Sequence, residues 1–238
     1  MESRKPYLQS QKGFSLVELM IAMVLGLLLL VGVVNIFLGS NQTYRLQEAM
    51  FQMQEAGRFS ISIMTRDVRD AGFQNVLPIN VTRTTNIEAV RGYQIADAGR
   101  PASVVTSVSS EIFYINSHDG DSAGDIAYYI ATDVSGSPAL FRNGDAIVES
   151  VEGLVVEYGR DLDGDRQVDQ FDLLAAIPAT GWSDVVAVRV NLYVASGPVG
   201  LLETAKPAMP APFGAIDTSD RRLYQPFTTT IALRNKIQ

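Results

Sequence analysis

The sequence predicts an α+β fold in which a long N-terminal helix packs on a mostly antiparallel β-sheet domain. Three observations carry that expectation. No proline occurs from Phe14 to about Gly72, so one uninterrupted helix is allowed. Leu19 to Tyr44 is an uncharged, largely apolar run, long enough to cross a bilayer. After Pro78 the apolar period drops from that of a helix to that of a strand.

The helix divides into two halves. Residues 14–44 form its membrane half. In residues 45–72, Leu46, Met50, Met53, Gly57, Ile61, Met64 and Val68 recur at steps of three and four, and so mark one apolar face. Arg45, Glu48, Gln52, Glu55, Arg66 and Arg69 mostly take the other faces. Gly26, Gly32 and Gly39 interrupt the membrane half, and small residues there permit close helix approach.

Residues 73–238 read as a β-rich globular domain. Val185 to Ala195 alternates, with Val186, Val188, Val190, Leu192 and Val194 on one side, as a half-buried strand does. Ile126 to Thr132, Ala139 to Arg142, Ile147 to Tyr158 and Phe227 to Leu233 read as further strands. Turns are expected at Ser135–Pro138 and Asn143–Asp145. Half of the ten prolines lie between Pro198 and Pro226, which predicts a long irregular connection before the last strand.

Composition narrows the function. The 238 residues leave room for one sizeable domain beyond the helix. The formal charge is −7, and there is no basic stripe, which argues against nucleic-acid binding. Cysteine is absent, so disulfides and thiolate metal sites are excluded. One histidine and the lack of any cysteine nucleophile argue against an enzyme. The apolar run outlasts a secretory signal core and lacks an Ala-x-Ala exit, so it reads as a retained anchor. Arg4, Lys5 and Lys12 precede it, which places the N-terminus in the cytoplasm and the domain across the membrane.

The junction Gly13-Phe14-Ser15-Leu16-Val17-Glu18 is the most informative segment. A carboxylate at the edge of a span costs roughly 3 kcal/mol without a partner. Cleavage after Gly13 supplies one, because Phe14 then carries a free α-amino group. The run Lys12 to Met20 resembles the prepilin signature shared by type IV pilins and type II secretion pseudopilins. Gly26 to Val31, Phe37 to Ser40, Tyr44 to Ala49, Gln54 to Phe59 and Arg66 to Phe73 extend the likeness. So do Val156 to Gly159, Asp161 to Asp165, Val188 to Leu192 and Phe227 to Asn235. Together they resemble the PilW family of minor pilins.

The resemblance implies a type IV pilin-like fold and a leader, residues 1–13, removed by prepilin peptidase between Gly13 and Phe14. It also implies N-methylation of Phe14 and pairing of Glu18 with an N-terminal amine during filament assembly. Partners would be other major and minor pilins, the peptidase, an inner-membrane assembly platform and a tip adhesin. The location would be the inner membrane, with the domain in the periplasm, and then the pilus. The implied role is non-enzymatic: priming pilus assembly or forming its tip. A type II secretion pseudopilin and a membrane-anchored binding or adhesive module are the alternatives. Absence of the C-terminal disulfide of many major pilins departs from the pattern.

Two further clusters stand out. Asp161, Asp163, Asp165, Gln167 and Asp169, with Asp172 beyond, match the oxygen-donor spacing of a calcium loop. Arg166 takes the position that glycine usually holds, and Asp172 replaces the bidentate glutamate. Calcium is the expected cofactor, with an acidic Asx-turn loop as the alternative. His118, Asp119, Asp121 and Asp125 lack ligand spacing and read as a loop. Trp182 reads as a core or interface anchor.

Overall fold

A computed structural model describes residues 13–72, 88–97, 101, 104, 108–116, 125–197, 199–207, 213 and 216–237. One helix, α1 (Leu16–Asp70), runs for 55 residues, about 80 Å at 1.5 Å per residue. The chain divides into two compact units, residues 1–47 and 48–238, with the division inside α1.

In the first unit α1 is largely apolar, and Glu18 is the one charged side chain between Leu16 and Tyr44. Among the described residues this is the one helix long and apolar enough to cross a membrane.

In the second unit the rest of α1 packs against strands, nine of which are found among the described residues. β1 (Val90–Tyr93), β2 (Ile112–Ile115), β3 (Ile126–Thr132), β4 (Pro138–Arg142) and β5 (Asp145–Glu149) form an antiparallel meander in that order. β6 (Val151–Arg160), β7 (Gln170–Leu173), β8 (Val185–Ala195) and β9 (Tyr224–Ala232) form a second antiparallel sheet, ordered β7-β6-β8-β9. A short helix, α2 (Arg234–Ile237), follows. The strands thus make two sheets where the sequence suggested one.

The reason lies at Ser150. The expected strand from Ile147 to Tyr158 is broken there: Ser150 has φ 59°, β5 ends before it and β6 begins after it. A non-glycine residue with that φ cannot continue a pleated strand. The chain therefore leaves one sheet and enters the other within one residue. At Asn143-Gly144, by contrast, φ values of 51° and 99° give the tight reversal expected between β4 and β5.

Both sheets and the helix share one core. Met53, Met64 and Val68 of α1 join Phe113, Tyr128, Ile130 and Leu140 of the first sheet. Val156, Tyr158, Val188, Val190 and Leu192 of the second sheet complete it. The buried face of α1 is Ala49, Met53, Gly57, Ser60, Met64, Asp67 and Val68. It is rotated from the expected stripe, since Met50 is exposed and Asp67 is inside.

β8 is buried on both faces except at Arg189, so it is more than the half-buried strand expected. Its second face is covered where Tyr193 stacks on Phe213 and Tyr224, with centroids 5.0 and 5.4 Å away. Phe213 comes from the proline-rich connection, which carries no helix or strand among its described residues. Arg222 fastens that connection, pairing with Glu152 of β6 and with Asp220.

Candidate functional site

The helix start is simple in structure. Gly13 to Ser15 are irregular, α1 begins at Leu16, and the Leu19 amide donates to the Ser15 carbonyl at 3.1 Å. Glu18 lies in the first turn, where a negative charge faces the positive end of the helix dipole. Phe14 is 84% exposed, and the large apolar residues from Leu16 to Leu38 are each 46% exposed or more. Burying a side chain of that size gains about 1.5–3 kcal/mol, so leaving the whole run in water costs on the order of tens of kcal/mol. This segment requires lipid or other helices around it. Residues 1–12 of the expected leader lie outside the described residues.

The acidic loop connects β6 to β7. Asp161 accepts the amides of Gly164 (2.7 Å) and Arg166 (2.9 Å). Asp163 accepts the Asp165 amide at 3.1 Å, and Asp169 accepts the Leu162 amide at 2.6 Å. These bonds wind the loop so that carboxylate oxygens of Asp161, Asp163 and Asp169 lie within 4.8 Å of one another. Asp165 stands apart from that group: its carboxylate takes both the backbone (2.7 Å) and side-chain (2.9 Å) amides of Gln167. Asp172 turns instead to Arg160, at 3.3 Å. Arg166 has φ 69°, so the sixth position takes the left-handed shape that glycine supplies in a regular calcium loop.

The other sequence candidates behave differently. His118, Asp119 and Asp121 lie outside the described residues, while Asp125 accepts the hydroxyl of Tyr114. Trp182 is 4% exposed and packs edge-on against Tyr158 at 4.9 Å, which makes it a core residue.

One cluster escaped sequence reasoning. Asp67, 5% exposed, accepts the Tyr128 hydroxyl (2.6 Å) and the Arg142 Nε (2.8 Å). It fastens α1 to β3 and β4. Burial, and then the bond to Asp67, hold the Tyr128 phenol well above its usual range. The available signal was phase: Asp67 follows Met53, Gly57, Ser60 and Met64 at steps of three and four.

Two family models match the chain. One, the prokaryotic N-terminal methylation motif, covers residues 8–34. The other, type IV pilus-assembly protein W, covers residues 127–235, from β3 through β9 into α2. Residues 127–235, just short of half the chain, thus match the PilW family. The later pieces that resembled PilW in sequence fall inside the second match, whereas residues 35–73 fall outside both. Among solved structures, a type IV-like pilin from Thermus thermophilus is similar at 12% identity and a TM-score of 0.40. The similarity covers 78% of this chain and 97% of that one. No curated protein matches the chain.

Proposed function

We propose that this chain is a PilW-type minor pilin of the type IV pilus, trimmed by prepilin peptidase after Gly13 and incorporated by helix packing. In the filament it primes assembly or forms the tip. The observation that carries the reading is the join of an N-methylation motif to a helix whose apolar surface is left uncovered. Such a surface finds partners in the membrane first and then in the helices of other pilins.

Glu18 supplies axial register. Helices that are uniformly apolar slide past one another at little cost, whereas one acid meeting one terminal ammonium favours a single stagger. Breaking such a buried pair costs roughly 3–5 kcal/mol. The partners are the peptidase, an assembly platform in the inner membrane, other pilins and a tip adhesin. The domain faces the periplasm before export to the pilus. The PilW match favours the pilus over a secretion pseudopilus.

The test is mass spectrometry of the native protein together with sheared pili. The expected N-terminus is N-methylated Phe14, and the chain is expected in the pilus fraction. A protein beginning at Met1, or one confined to the membrane, would refute the reading. Scoring twitching and surface pili against protein secretion in a deletion strain separates pilus from secretion system.

For the acidic loop, the proposal is a calcium ion held by Asp161, Asp163 and Asp169, with Asp165 and Gln167 completing the donor set by reorienting. A divalent cation there would relieve the repulsion of converging carboxylates and brace the β6–β7 connection. Their approach within 4.8 Å supports it.

A further inference from the structure

The chain is acidic overall, at −7, yet one groove is basic. At the C-terminal end of α1, a groove of about 450 Å³ is lined by Ser62, Thr65, Arg66, Arg69, Asp70 and Arg234. Three arginines and one aspartate thus line it. Arg69 and Arg234 are exposed and make no ion pair among the described residues. Arg66 is 70% exposed and touches Asp67 at 3.4 Å, but that carboxylate is already held more closely by Arg142.

Helix electrostatics account for only part of this. A cation in the last turn of α1 compensates the negative end of the dipole, which suits Arg69. Arg234 opens α2, where a cation gains nothing from the helix. Nor do the arginines build the core, since all three side chains lie at the surface.

We propose that this groove docks a carboxylate-rich segment of another filament subunit, an inference that rests on the minor-pilin reading above. Charge complementarity carries it. The acidic remainder of the molecule repels an acidic neighbour, so the groove is the place where such a neighbour is accepted, and in one orientation. Guanidinium forks match carboxylates bidentately, which fixes geometry as well as sign. Three arginines beside an aspartate fall short of the four to eight basic residues typical of anionic-lipid recognition. The acidic surroundings oppose nucleic acid.

The test uses the full chain in neutral detergent and a fluorescent deca-glutamate peptide as probe. Binding is expected and should weaken steeply with added salt. Arg66→Glu, Arg69→Glu and Arg234→Glu together should weaken it by about tenfold or more, and the corresponding triple glutamine variant should fall between. Because the side chains are exposed, both variants should melt with the parent; if the glutamate variant does not, the glutamine variant decides. Equal binding by parent and variants would overturn the proposal. So would preferential, arginine-dependent binding to phosphatidylglycerol vesicles, which would make the groove a lipid site. Recovery of the parent chain in sheared pili is scored separately. Its absence would refute the filament reading, and the proposed source of the partner with it, whatever the peptide does.

Discussion

Asp67 shows how much one side chain contributes to this architecture. It sits on the buried face of α1 and receives hydrogen bonds from Tyr128 and Arg142, which belong to neighbouring strands of the first sheet. Asp67→Ala would leave a buried hydroxyl and a half-buried guanidinium without their acceptor. Each hydrogen bond to a charged group contributes about 1.5–3 kcal/mol, and Arg142 recovers part of its share from water. The expected loss is roughly 2–4 kcal/mol, read by denaturant unfolding of the parent and variant chains. Glu111 presents the opposite case. Burial pushes its carboxyl up, and its Oε2 has no partner among the described residues. A carboxyl whose folded pKa exceeds its unfolded value binds more protons when folded, so its ionisation destabilises the fold as pH rises. Glu111→Gln should therefore raise the melting temperature at pH 7. That advantage should shrink as pH falls from the raised folded value toward the ordinary glutamate range. An equal gain at pH 4 and pH 7 would contradict the account.

Between α1 and β9 the contact depends on a missing side chain. A Cβ on Gly57 would stand 2.3 Å from the Phe227 ring. Gly57→Ala gains about 1 kcal/mol in helix propensity but forces the ring or the helix aside, at roughly 1–3 kcal/mol. The expected net effect is destabilisation, and pairing it with Phe227→Leu should relieve most of the cost. An alanine variant as stable as the parent would show that the ring moves freely. The β6–β7 loop carries a metal prediction: calorimetric titration with calcium should show one site, lost in Asp161→Ala. Heat of dilution alone would remove calcium from the loop. Elements were legible where the sequence repeats with a period. Thus α1, β3, β4, β8 and β9 were readable, as was the Asn143-Gly144 turn. β1, β2 and β7 are four residues each, too short for alternation to declare itself. The break at Ser150 was hidden because serine carries no preference for a positive φ, so one apolar run covered two strands in different sheets.

For the molecule as a whole, the uncovered apolar surface of α1 sets the main expectation. Glu18→Ala should be inserted in the membrane and trimmed normally, yet fall at least about tenfold in the pilus fraction, as loss of a buried charge partner would require. Immunoblots of sheared pili and membranes measure it, and normal incorporation would remove the register role. The methylation motif was readable because it is linear: Gly13, Phe14 and Glu18 lie within six residues of one another. The Asp67 cluster was not, because Tyr128 and Arg142 are sixty-one and seventy-five residues away and meet it only after both sheet and helix have formed. Those attachments have a mechanical consequence. α1 is held to the first sheet near Asp67 and to the second near Gly57, one on each side of about 15 Å of helix. Tension along that helix loads both anchorages together, in shear, and does not peel strands away singly. Under force the domain should yield in one abrupt event at high load.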